Sequence, residues 1–340
     1  MKRDAADYRY RAMIGVGGIG SGSFFELEGN ATLGREESRG GRFLDRRDYC
    51  KLHIISHYVK ALLGPDFAVI PIGKIGDDDT GTQVLKEMQE AGLDTRQVTR
   101  SPGDPTLYSF CFLYPDGCGG NLTTTDSACS KVDRQYVEAA EPVFKRFKSR
   151  GVALAAPEVP LEARQALLKL ASKYGFLRVA SLTSAEVPVA IESGMIGQLD
   201  LLALNLDEAT AAAGLPCTDS DPVRIVEPAI DRLCRANRKI HVSITAGMRG
   251  SWSWDGSSLV HAPICETKTV CTAGAGDAHV SGMIAGLVGG LSLADAQQLG
   301  TLVAAMSVTS PHTINKDITT ESLLKFAEEH APSLYSVCRL

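Results

Sequence analysis

The sequence predicts an α/β fold in which a doubly wound, mainly parallel sheet is flanked by helices and carries a small β lid. Three observations support this prediction. The chain has 340 residues, enough for one large α/β domain. From about residue 64 onward, short apolar runs alternate with amphipathic ones, as expected for strands buried on both faces between helices. A hairpin pattern interrupts this alternation and does not fit within a parallel sheet.

Hydrophobic periodicity predicts the individual elements. Residues 67–72 form a nearly continuous apolar run and are predicted as a strand. Residues 82–91 place Val84, Leu85 and Met88 on one face and are predicted as a helix. The same reasoning predicts strands at 12–14, 152–156, 177–181, 199–205, 239–245 and 251–254, and helices at 161–174 and 278–288.

The hairpin pattern consists of residues 106–114 and 120–125 on either side of the turn signal Pro115-Asp116-Gly117. We expect residues 1–340 to form a single domain, with the lid built from parts of 20–50 and 105–128. Because a projecting hairpin exposes sheet edges that can pair with a second subunit, a homodimer through the lid is also expected.

Composition and charge exclude several classes of protein. A hydrophobic content of 44% excludes wholesale disorder, and a net charge of −5 argues against nucleic acid as a partner. No apolar stretch approaches the ~18 residues needed to cross a bilayer, and the first residues lack the apolar core of a secretion signal. Nine scattered cysteines do not fit a disulfide framework. We therefore expect a cytoplasmic protein that binds neither nucleic acid nor a membrane.

A glycine-rich segment follows the first predicted strand. Gly15-Val16-Gly17-Gly18-Ile19-Gly20 satisfies the G-x-G-x-x-G pattern of dinucleotide-binding folds. Such a site needs a helix to begin at the last glycines, and the residues that follow are poor helix formers. A turn that lets a substrate approach the backbone closely is the preferred interpretation, and a dinucleotide-dependent oxidoreductase remains an alternative.

Cys50, His53 and His57 share one face of a predicted helix and resemble a metal site. Seven residues rise about 10 Å along a helix, which is too far for Cys50 and His57 to bind one ion easily. A packed amphipathic helix is the preferred interpretation.

The segment Thr272-Ala273-Gly274-Ala275-Gly276-Asp277 precedes a strongly apolar helix and carries the clearest chemical signal. Its glycines allow a tight turn that points the free N–H groups of Ala275, Gly276 and Asp277 outward at the positive end of the helix, which makes an anion hole. Asp277 is placed to accept a proton from a hydroxyl group. The alternative is that Asp277 only caps the helix.

Two further motifs lie at predicted strand ends. Asn205 and Glu208 follow the strand 199–204, and Thr245, Gly247 and Gly250 follow the strand 240–244. Ligands of open α/β sheets bind at the carboxyl ends of strands. The first pair suits Mg²⁺ waters around a phosphate, or simply a helix start with Asn205 as its cap. The second motif suits the approach of a nucleotide, or an ordinary loop.

These three motifs, in this order, resemble those of the ribokinase-like (PfkB) carbohydrate kinase family, which shows N-x-x-E, T-x-G-x-x-G and D-T-x-G-A-G-D. Residues 72–81, 90–95 and Pro105-Thr106 are also typical of that family. Gly40-Gly41 resembles its di-glycine hinge. The resemblance covers about residues 40 to 310.

The resemblance implies ATP- and Mg²⁺-dependent phosphoryl transfer to a hydroxyl of a sugar, nucleoside or related alcohol. Asp277 would be the general base, and the amides around Gly274, Ala275 and Gly276 would stabilise the developing charge. Asn205 and Glu208 would support Mg²⁺ and phosphate through water, with Thr245, Gly247, Gly250 and Thr272 at the nucleotide. The acceptor would lie near residues matched to the family's substrate site: Gly17, Ser21, Gly40, Gly41 and Asp45.

The sequence departs from the family pattern mainly on the acceptor side. Family members usually carry an Asp after the first glycine, but residues 17–23 contain only glycine, serine and isoleucine. Asp45 stands where an Asn is usual. Cys271 replaces an Asp that in some members belongs to a monovalent-cation site. His279 replaces a common Phe, and we interpret it as a packing residue with a local hydrogen-bond partner.

Three hypotheses follow from these motifs and departures. The first is an ATP-dependent kinase whose acceptor is not an ordinary ribose- or fructose-like sugar. The second is a ligand-binding relative without turnover, and the third is the oxidoreductase. An anionic acceptor would suit the basic side chains of the charged segment, although such a segment is often only a solvated face; these are Arg35, Arg39, Arg42, Arg46 and Arg47.

Overall fold

The computed structural model describes residues 8–116, 119–216 and 221–339. The strands are β1 Ala12–Val16, β2 Gly20–Leu27, β3 Gly41–Tyr49, β4 Ala68–Gly76, β5 Val98–Ser101, β6 Leu107–Leu113, β7 Gly119–Thr123, β8 Gly151–Ala155, β9 Leu177–Ser181, β10 Leu201–Asn205, β11 His241–Thr245, β12 Ser251–Trp254 and β13 Leu259–Ala262.

The helices of the same residues are α1 Lys51–Leu63, α2 Asp79–Glu90, α3 Arg134–Glu138, α4 Glu141–Arg146, α5 Leu161–Tyr174, α6 Glu186–Glu192, α7 Leu206–Ala213, α8 Pro222–Ala236, α9 Ala275–Val288, α10 Leu293–Ser307 and α11 Thr320–His330. Short 3-10 turns lie between several of them. Within the described ranges, no helix is both long enough and apolar enough to span a bilayer.

Nine strands form one sheet in the order β13-β12-β11-β10-β9-β8-β1-β4-β5. The strands from β11 to β5 in this order pair in parallel, and β12 and β13 complete the sheet as an antiparallel edge. This arrangement confirms the predicted doubly wound, mainly parallel sheet.

Side-chain alternation along the strands divides the interior into two apolar clusters. Leu154 belongs to the cluster beneath α1, α9 and α10, whereas Ala153 and Ala155 belong to the cluster beneath α5, α7 and α8. Successive side chains of a strand point to opposite faces, so both faces of the sheet need helices to cover them. The nearly continuous apolar runs in the sequence have this origin.

A second sheet of four strands has the order β3-β2-β6-β7. The predicted hairpin is its β6–β7 pair, with Leu113 opposite Gly119; Gly117 of the predicted turn lies outside the described residues. β2 joins the hairpin in parallel with β6 and pairs with β3 antiparallel. The small sheet therefore comes from the two chain segments from which we predicted a lid.

The glycine-rich segment leads into this small sheet. β1 ends at Val16 and β2 begins at Gly20, so the chain forms a short turn and continues as a strand. No helix begins there, and a dinucleotide pyrophosphate would find no helix N-terminus to bind. The structure thus agrees with the preferred interpretation of Gly15–Gly20 as a turn.

Candidate active site

A cavity of about 760 Å³ opens at the carboxyl ends of β10 and β11 and at the start of α9. The sheet places these ends side by side, since β10 and β11 are neighbours and Asn205 pairs with Thr245. All ten residues predicted for catalysis and nucleotide binding line this cavity: Asn205, Glu208, Thr245, Gly247, Gly250, Thr272, Gly274, Ala275, Gly276 and Asp277.

The loop before α9 ends in a tight turn at Gly274. This residue has φ 79° and ψ −3°, a left-handed conformation that glycine adopts without steric cost, and it is the N-cap of α9. The amide of Ala275 donates to the carbonyl of Thr272 at 3.2 Å, so the expectation that this N–H is free is wrong. The turn itself takes up that donor. The amides of Gly276 and Asp277 have no backbone partner among the described residues and remain available to an anion.

The Asp277 carboxylate lies in the first turn of α9 and lines the cavity. It makes no capping hydrogen bond, because Gly274 is the N-cap, so the capping alternative is not what the structure shows. Burial raises the pKa of Asp277, the charge of Lys51 lowers it, and the carboxylate of Asp48 raises it further. A partly buried carboxylate without a protein partner suits a proton acceptor.

Asn205 and Glu208 begin helix α7 as a capping box. The Asn205 side chain accepts from the Glu208 amide at 2.8 Å, and the Glu208 Oε2 atom accepts from the Asn205 amide at 2.8 Å. The capping interpretation is therefore correct, and both residues also line the cavity. Burial raises the pKa of Glu208, opposed by Lys51. The cap uses one carboxylate oxygen, Oε2, and leaves Oε1 for another contact.

The Thr245–Gly250 segment forms the rim of the cavity beyond β11. Ala246 and Gly250 close a tight loop, in which the Ala246 amide donates to the Gly250 carbonyl at 2.9 Å. Met248, which is 79% exposed, stands at the tip of this loop and lines the cavity mouth. An exposed thioether beside backbone groups is suited to the apolar face of a bound base.

Two charged residues of this region were missed by the sequence reasoning. Lys51, the first residue of α1, lines the cavity, and the largest influence raising its pKa is the charge of Asp277. Its amide donates to Glu158 Oε2 at 3.2 Å. Burial raises the pKa of Glu158 to about 7, with Lys51 opposing. Glu158 follows β8, so its position after a strand end was the available signal, whereas Lys51 was hidden in an apolar helical pattern.

The residues predicted for the acceptor do not line the cavity. Gly17 is buried in the turn after β1, and the Ser21 hydroxyl donates to the Asp48 carbonyl at 3.2 Å. Asp45 is exposed within an irregularity of β3. Gly40 and Gly41 are exposed at the start of β3, whose nine residues span roughly 30 Å at about 3.3 Å each. Gly40 and Gly41 therefore do not form the expected hinge next to α1. They lie at the far end of β3, and Tyr49 and Cys50 directly precede α1.

His53 of the candidate metal face is a packing group, and His279 is buried at the cavity. His53 packs edge-on against Tyr49 with ring centroids 4.9 Å apart, and burial lowers its pKa to about 3. Among the residues described, no group of three or more His, Cys, Asp or Glu side chains could hold a metal ion. His279 is buried and lines the cavity, but neither ring nitrogen has a partner in the described structure, so the expected local hydrogen bond is absent.

The small sheet rests on the loop that leads to Asp277. Phe24 of β2 and Cys111 of β6 form an apolar cluster with Cys271, six residues before Asp277. Asp48 at the end of β3 is 5% exposed and accepts hydrogen bonds from Ser109 and Cys111 of β6. The small sheet is therefore in contact with the loop that leads to Asp277, although none of its strand residues lines the cavity.

Residues 58–320 match the pfkB family carbohydrate kinase. The chain is similar to the 5-dehydro-2-deoxygluconokinase of Clostridium perfringens, with 26% identity over 75% of this chain and 76% of that protein. It is also similar to the 2-dehydro-3-deoxygluconokinase of Bacillus subtilis, with 22% identity over 82% of this chain and 90% of that protein.

Solved structures with the same fold include ribokinase from Giardia lamblia, with a TM-score of 0.80, 15% identity, and coverage of 94% of this chain and 99% of that one. Ribokinase from Cryptococcus neoformans in complex with ADP has a TM-score of 0.75, 19% identity, and coverage of 93% and 99%. The family match spans most of the chain, the solved structures cover 93–94% of it, and the motifs of the match meet in one cavity. The protein therefore belongs to the pfkB family of carbohydrate kinases.

Proposed function

We propose that this kinase transfers the terminal phosphoryl group of ATP to a hydroxyl of a sugar-type acceptor, with Asp277 as the general base. One observation carries the proposal: the Asp277 carboxylate lines the cavity and has no hydrogen-bond or ion-pair partner among the described residues, and the nearby amides of Gly276 and Asp277 have no backbone partner there. Phosphoryl transfer requires positioning and charge stabilisation rather than a covalent intermediate, and this arrangement supplies both.

The base is tuned by two opposing influences. Burial raises the pKa of Asp277, which strengthens it as a proton acceptor, and the charge of Lys51 lowers the pKa and so favours the ionised carboxylate. The amides of Gly276 and Asp277, with the turn at Gly274 and Ala275, then lie at the positive end of α9 to stabilise the developing charge.

The nucleotide half of the cavity is assigned to Thr245, Gly247, Gly250 and Thr272. Their backbone and hydroxyl groups line the rim beyond β11 and before α9. Backbone N–H groups and small residues let phosphates approach the chain closely. Their shared position on one cavity supports the assignment.

The residues beside this half fit Mg²⁺, which prefers oxygen ligands and keeps several of its waters. Glu208 Oε1 and the Asn205 side chain present oxygen and amide groups to the cavity after the capping box is formed. We assign these residues to Mg²⁺ through water, and the ion would neutralise phosphate charge. The two hydrogen bonds between Asn205 and Glu208 fix the orientation of both side chains.

The acceptor half is assigned to the space between the small sheet and Asp277, bordered by Lys51, Glu158 and Asp48. This assignment replaces Gly40, Gly41 and Asp45. The single domain of residues 1–340 would then use its small sheet as a lid, held over the site by the contact between Phe24, Cys111 and Cys271. The names of relatives that phosphorylate dehydro-deoxygluconates support a sugar acid as one acceptor class.

The outer face of the small sheet supports a homodimer. Phe43 and Leu122 are 67% and 62% exposed, and Phe43 stacks edge-on against Phe25 with centroids 5.1 Å apart. An exposed apolar patch of this kind is unfavourable in water unless a partner covers it. The seven cysteines that the structure describes are free thiols, which suits the cytoplasm as the place of action.

The experiment that tests the proposal is an acceptor screen with ATP, Mg²⁺ and detection of ADP. It includes sugars, sugar acids, nucleosides and polyols, with omission of each acceptor as the background. We expect acceptor-dependent ADP release that disappears with EDTA. A protein that is stabilised by ATP against heating but releases no ADP with any acceptor would be a binding relative, and the proposed function would be wrong.

A further inference from the structure

One arginine of the basic segment 35–47, Arg46, has no acidic partner among the described residues. Three arginines of this segment form ion pairs: Arg39 with Glu37 at 2.5 Å, Arg42 with Glu26 at 2.6 Å and Arg47 with Glu87 at 2.6 Å. Arg35 is exposed on the outer loop. Arg46 has no carboxylate oxygen within 4.0 Å among the described residues, and it is half-buried.

A bulge in the small sheet directs Arg46 toward the catalytic loop. The pairing of β2 with β3 shifts from Ser23 opposite Arg47 to Phe24 opposite Leu44, which leaves Asp45 and Arg46 without partners in the ladder. Bulges of this kind re-aim side chains. The Arg46 guanidinium lies beside the Cys271 thiol, whose pKa is raised by burial and lowered by this arginine.

Hydrogen bonds hold this part of β3 against the turn before Asp277. The Thr313 amide donates to the Arg47 carbonyl at 3.2 Å, and the Tyr49 amide donates to Thr313 Oγ1 at 3.0 Å. A methyl group added to Gly274 would come within 2.8 Å of the Thr313 carbonyl oxygen. The part of β3 that follows Arg46 is therefore held against Thr313, which packs against the turn at Gly274.

Asp48 lies two residues after Arg46 on β3. Gly22 separates Asp48 from Ser109 in the sheet, and because Gly22 has no side chain the carboxylate reaches across it to the serine hydroxyl. The charge of Asp48 influences the pKa of both Cys271 and Asp277. Asp48 thus lies within electrostatic range of both Cys271 and Asp277, and it is already bonded to β6.

A half-buried arginine without a carboxylate partner can pair with the carboxylate of a ligand. Cys271, which lies beside it, supplies no charge, because burial raises the pKa of its thiol. A ligand carboxylate would pair with the planar guanidinium through two parallel hydrogen bonds. We do not assign Lys51 to the ligand carboxylate, because the largest influence on the pKa of Lys51 is the charge of Asp277.

We propose that Arg46 binds the carboxylate of a sugar acid whose hydroxyl faces Asp277, so that Arg46 determines specificity for the acceptor. This inference rests on the proposed kinase function. Arg46 supplies the charged end of the acceptor site, Asp48 and Ser109 lie between, and Asp277 stands at the reacting end. Uncharged sugars would lack the carboxylate that pairs with Arg46.

The test compares the wild-type protein with Arg46→Gln and Cys271→Asp, using Arg42→Gln as a matched control on the same strand. Cys271→Asp keeps Arg46 but places a competing carboxylate beside it. The acceptors are 2-dehydro-3-deoxygluconate and 5-dehydro-2-deoxygluconate, with fructose and ribose as uncharged probes. Circular dichroism and thermal melting establish that each variant is folded.

We expect both variants to raise the KM for the sugar acid by about 10- to 100-fold, the range for a lost charge-assisted contact, while the KM for ATP is unchanged. The Arg42→Gln protein should behave as the wild type, and the KM values of uncharged acceptors should not move. An unchanged KM for the acid in both variants overturns the inference, as does an equal loss for all acceptors.

Binding without turnover separates this inference from the kinase proposal. The Asp277→Asn protein should still be stabilised against heating by the acids, and the Arg46→Gln, Asp277→Asn double variant should not. If only uncharged sugars are phosphorylated, Arg46 is misassigned and the kinase function stands. If the acids bind through Arg46 but no acceptor yields ADP, the kinase proposal fails instead.

Discussion

Asn205 and Glu208 bond to each other reciprocally, with 2.8 Å between the amide of each residue and the side-chain oxygen of the other. The same two side chains line the cavity and start helix α7. A structural role and a proposed metal-binding role are therefore carried by one pair.

These two roles can be separated by substitution. Asn205→Ala should lower the free energy of unfolding by about 1 kcal/mol, because the helix cap is lost. Glu208→Gln keeps an acceptor oxygen for the Asn205 amide, so it should retain stability but raise the Mg²⁺ concentration needed for half-maximal activity. Urea unfolding and Mg²⁺ titration measure the two effects. Equal destabilisation by both substitutions would contradict the separation.

The general-base assignment predicts a selective loss of turnover. Asp277→Asn should reduce kcat by about 10²- to 10⁴-fold, the usual contribution of a positioned base, with the Kd for ATP nearly unchanged. Steady-state kinetics and ATP-induced thermal shifts give the two values. A folded variant that loses ATP binding as much as turnover would place Asp277 at the nucleotide rather than at the acceptor.

Lys51 should set the acidic limb of the pH–rate profile. The charge of Lys51 lowers the pKa of Asp277, so its removal raises that pKa and protonates the base at higher pH. In Lys51→Met, activity should therefore begin to fall at a higher pH as the solution is acidified, whereas Lys51→Arg keeps the wild-type limb. A profile of kcat against pH that is identical in Lys51→Met would contradict the role.

A buried ion pair holds the chain after β9. The Arg164 side chain is fully buried and donates to Glu186 Oε1 at 2.7 Å and to the Ser181 carbonyl at 2.6 Å. Arg164→Met leaves the Glu186 carboxylate without its partner and should cost about 3–5 kcal/mol in urea unfolding. The exposed pair of Lys173 and Glu141 is the control, and Lys173→Met should leave the midpoint unchanged.

The proposed homodimer predicts a change of mass in solution. Phe43→Glu together with Leu122→Glu should convert the dimer into a monomer, because each places a charge in the exposed apolar patch of the small sheet. Val223→Glu on α8, where the valine is 79% exposed, is the matched control and should leave the mass unchanged. Light scattering after gel filtration measures the mass, and a monomeric wild-type protein would refute the proposed dimer.

The sheet and the nucleotide side of the site were predictable because their signals are local. Strand and helix periods repeat along the chain, and parallel strands bring their carboxyl ends to one edge. Asn205, Thr245 and Asp277 each follow a strand or begin a helix, so their meeting could be inferred without coordinates. The structure confirms that they line one cavity.

The acceptor side depends on contacts between distant segments, which no local pattern encodes. β2 pairs with β6 across more than 80 residues, and the bulge that leaves Asp45 exposed and Arg46 half-buried is a property of that sheet. Glu158 has φ 75°, an uncommon conformation for a residue with a side chain, and nothing in its surroundings in the sequence predicts it. Gly40 and Gly41 were wrongly assigned to the acceptor site, because two consecutive glycines also occur at turns and at strand starts such as that of β3.

The junction between β3 and α1 has a mechanical consequence. β3 ends at Tyr49 and α1 begins at Lys51, with Cys50 alone between them. A tilt of the four small-sheet strands would therefore act on the first turn of α1, which carries Lys51, the residue whose charge lowers the pKa of Asp277. On the proposed function, the filling of the space beneath the small sheet and the proton affinity of the Asp277 carboxylate would be linked through one residue.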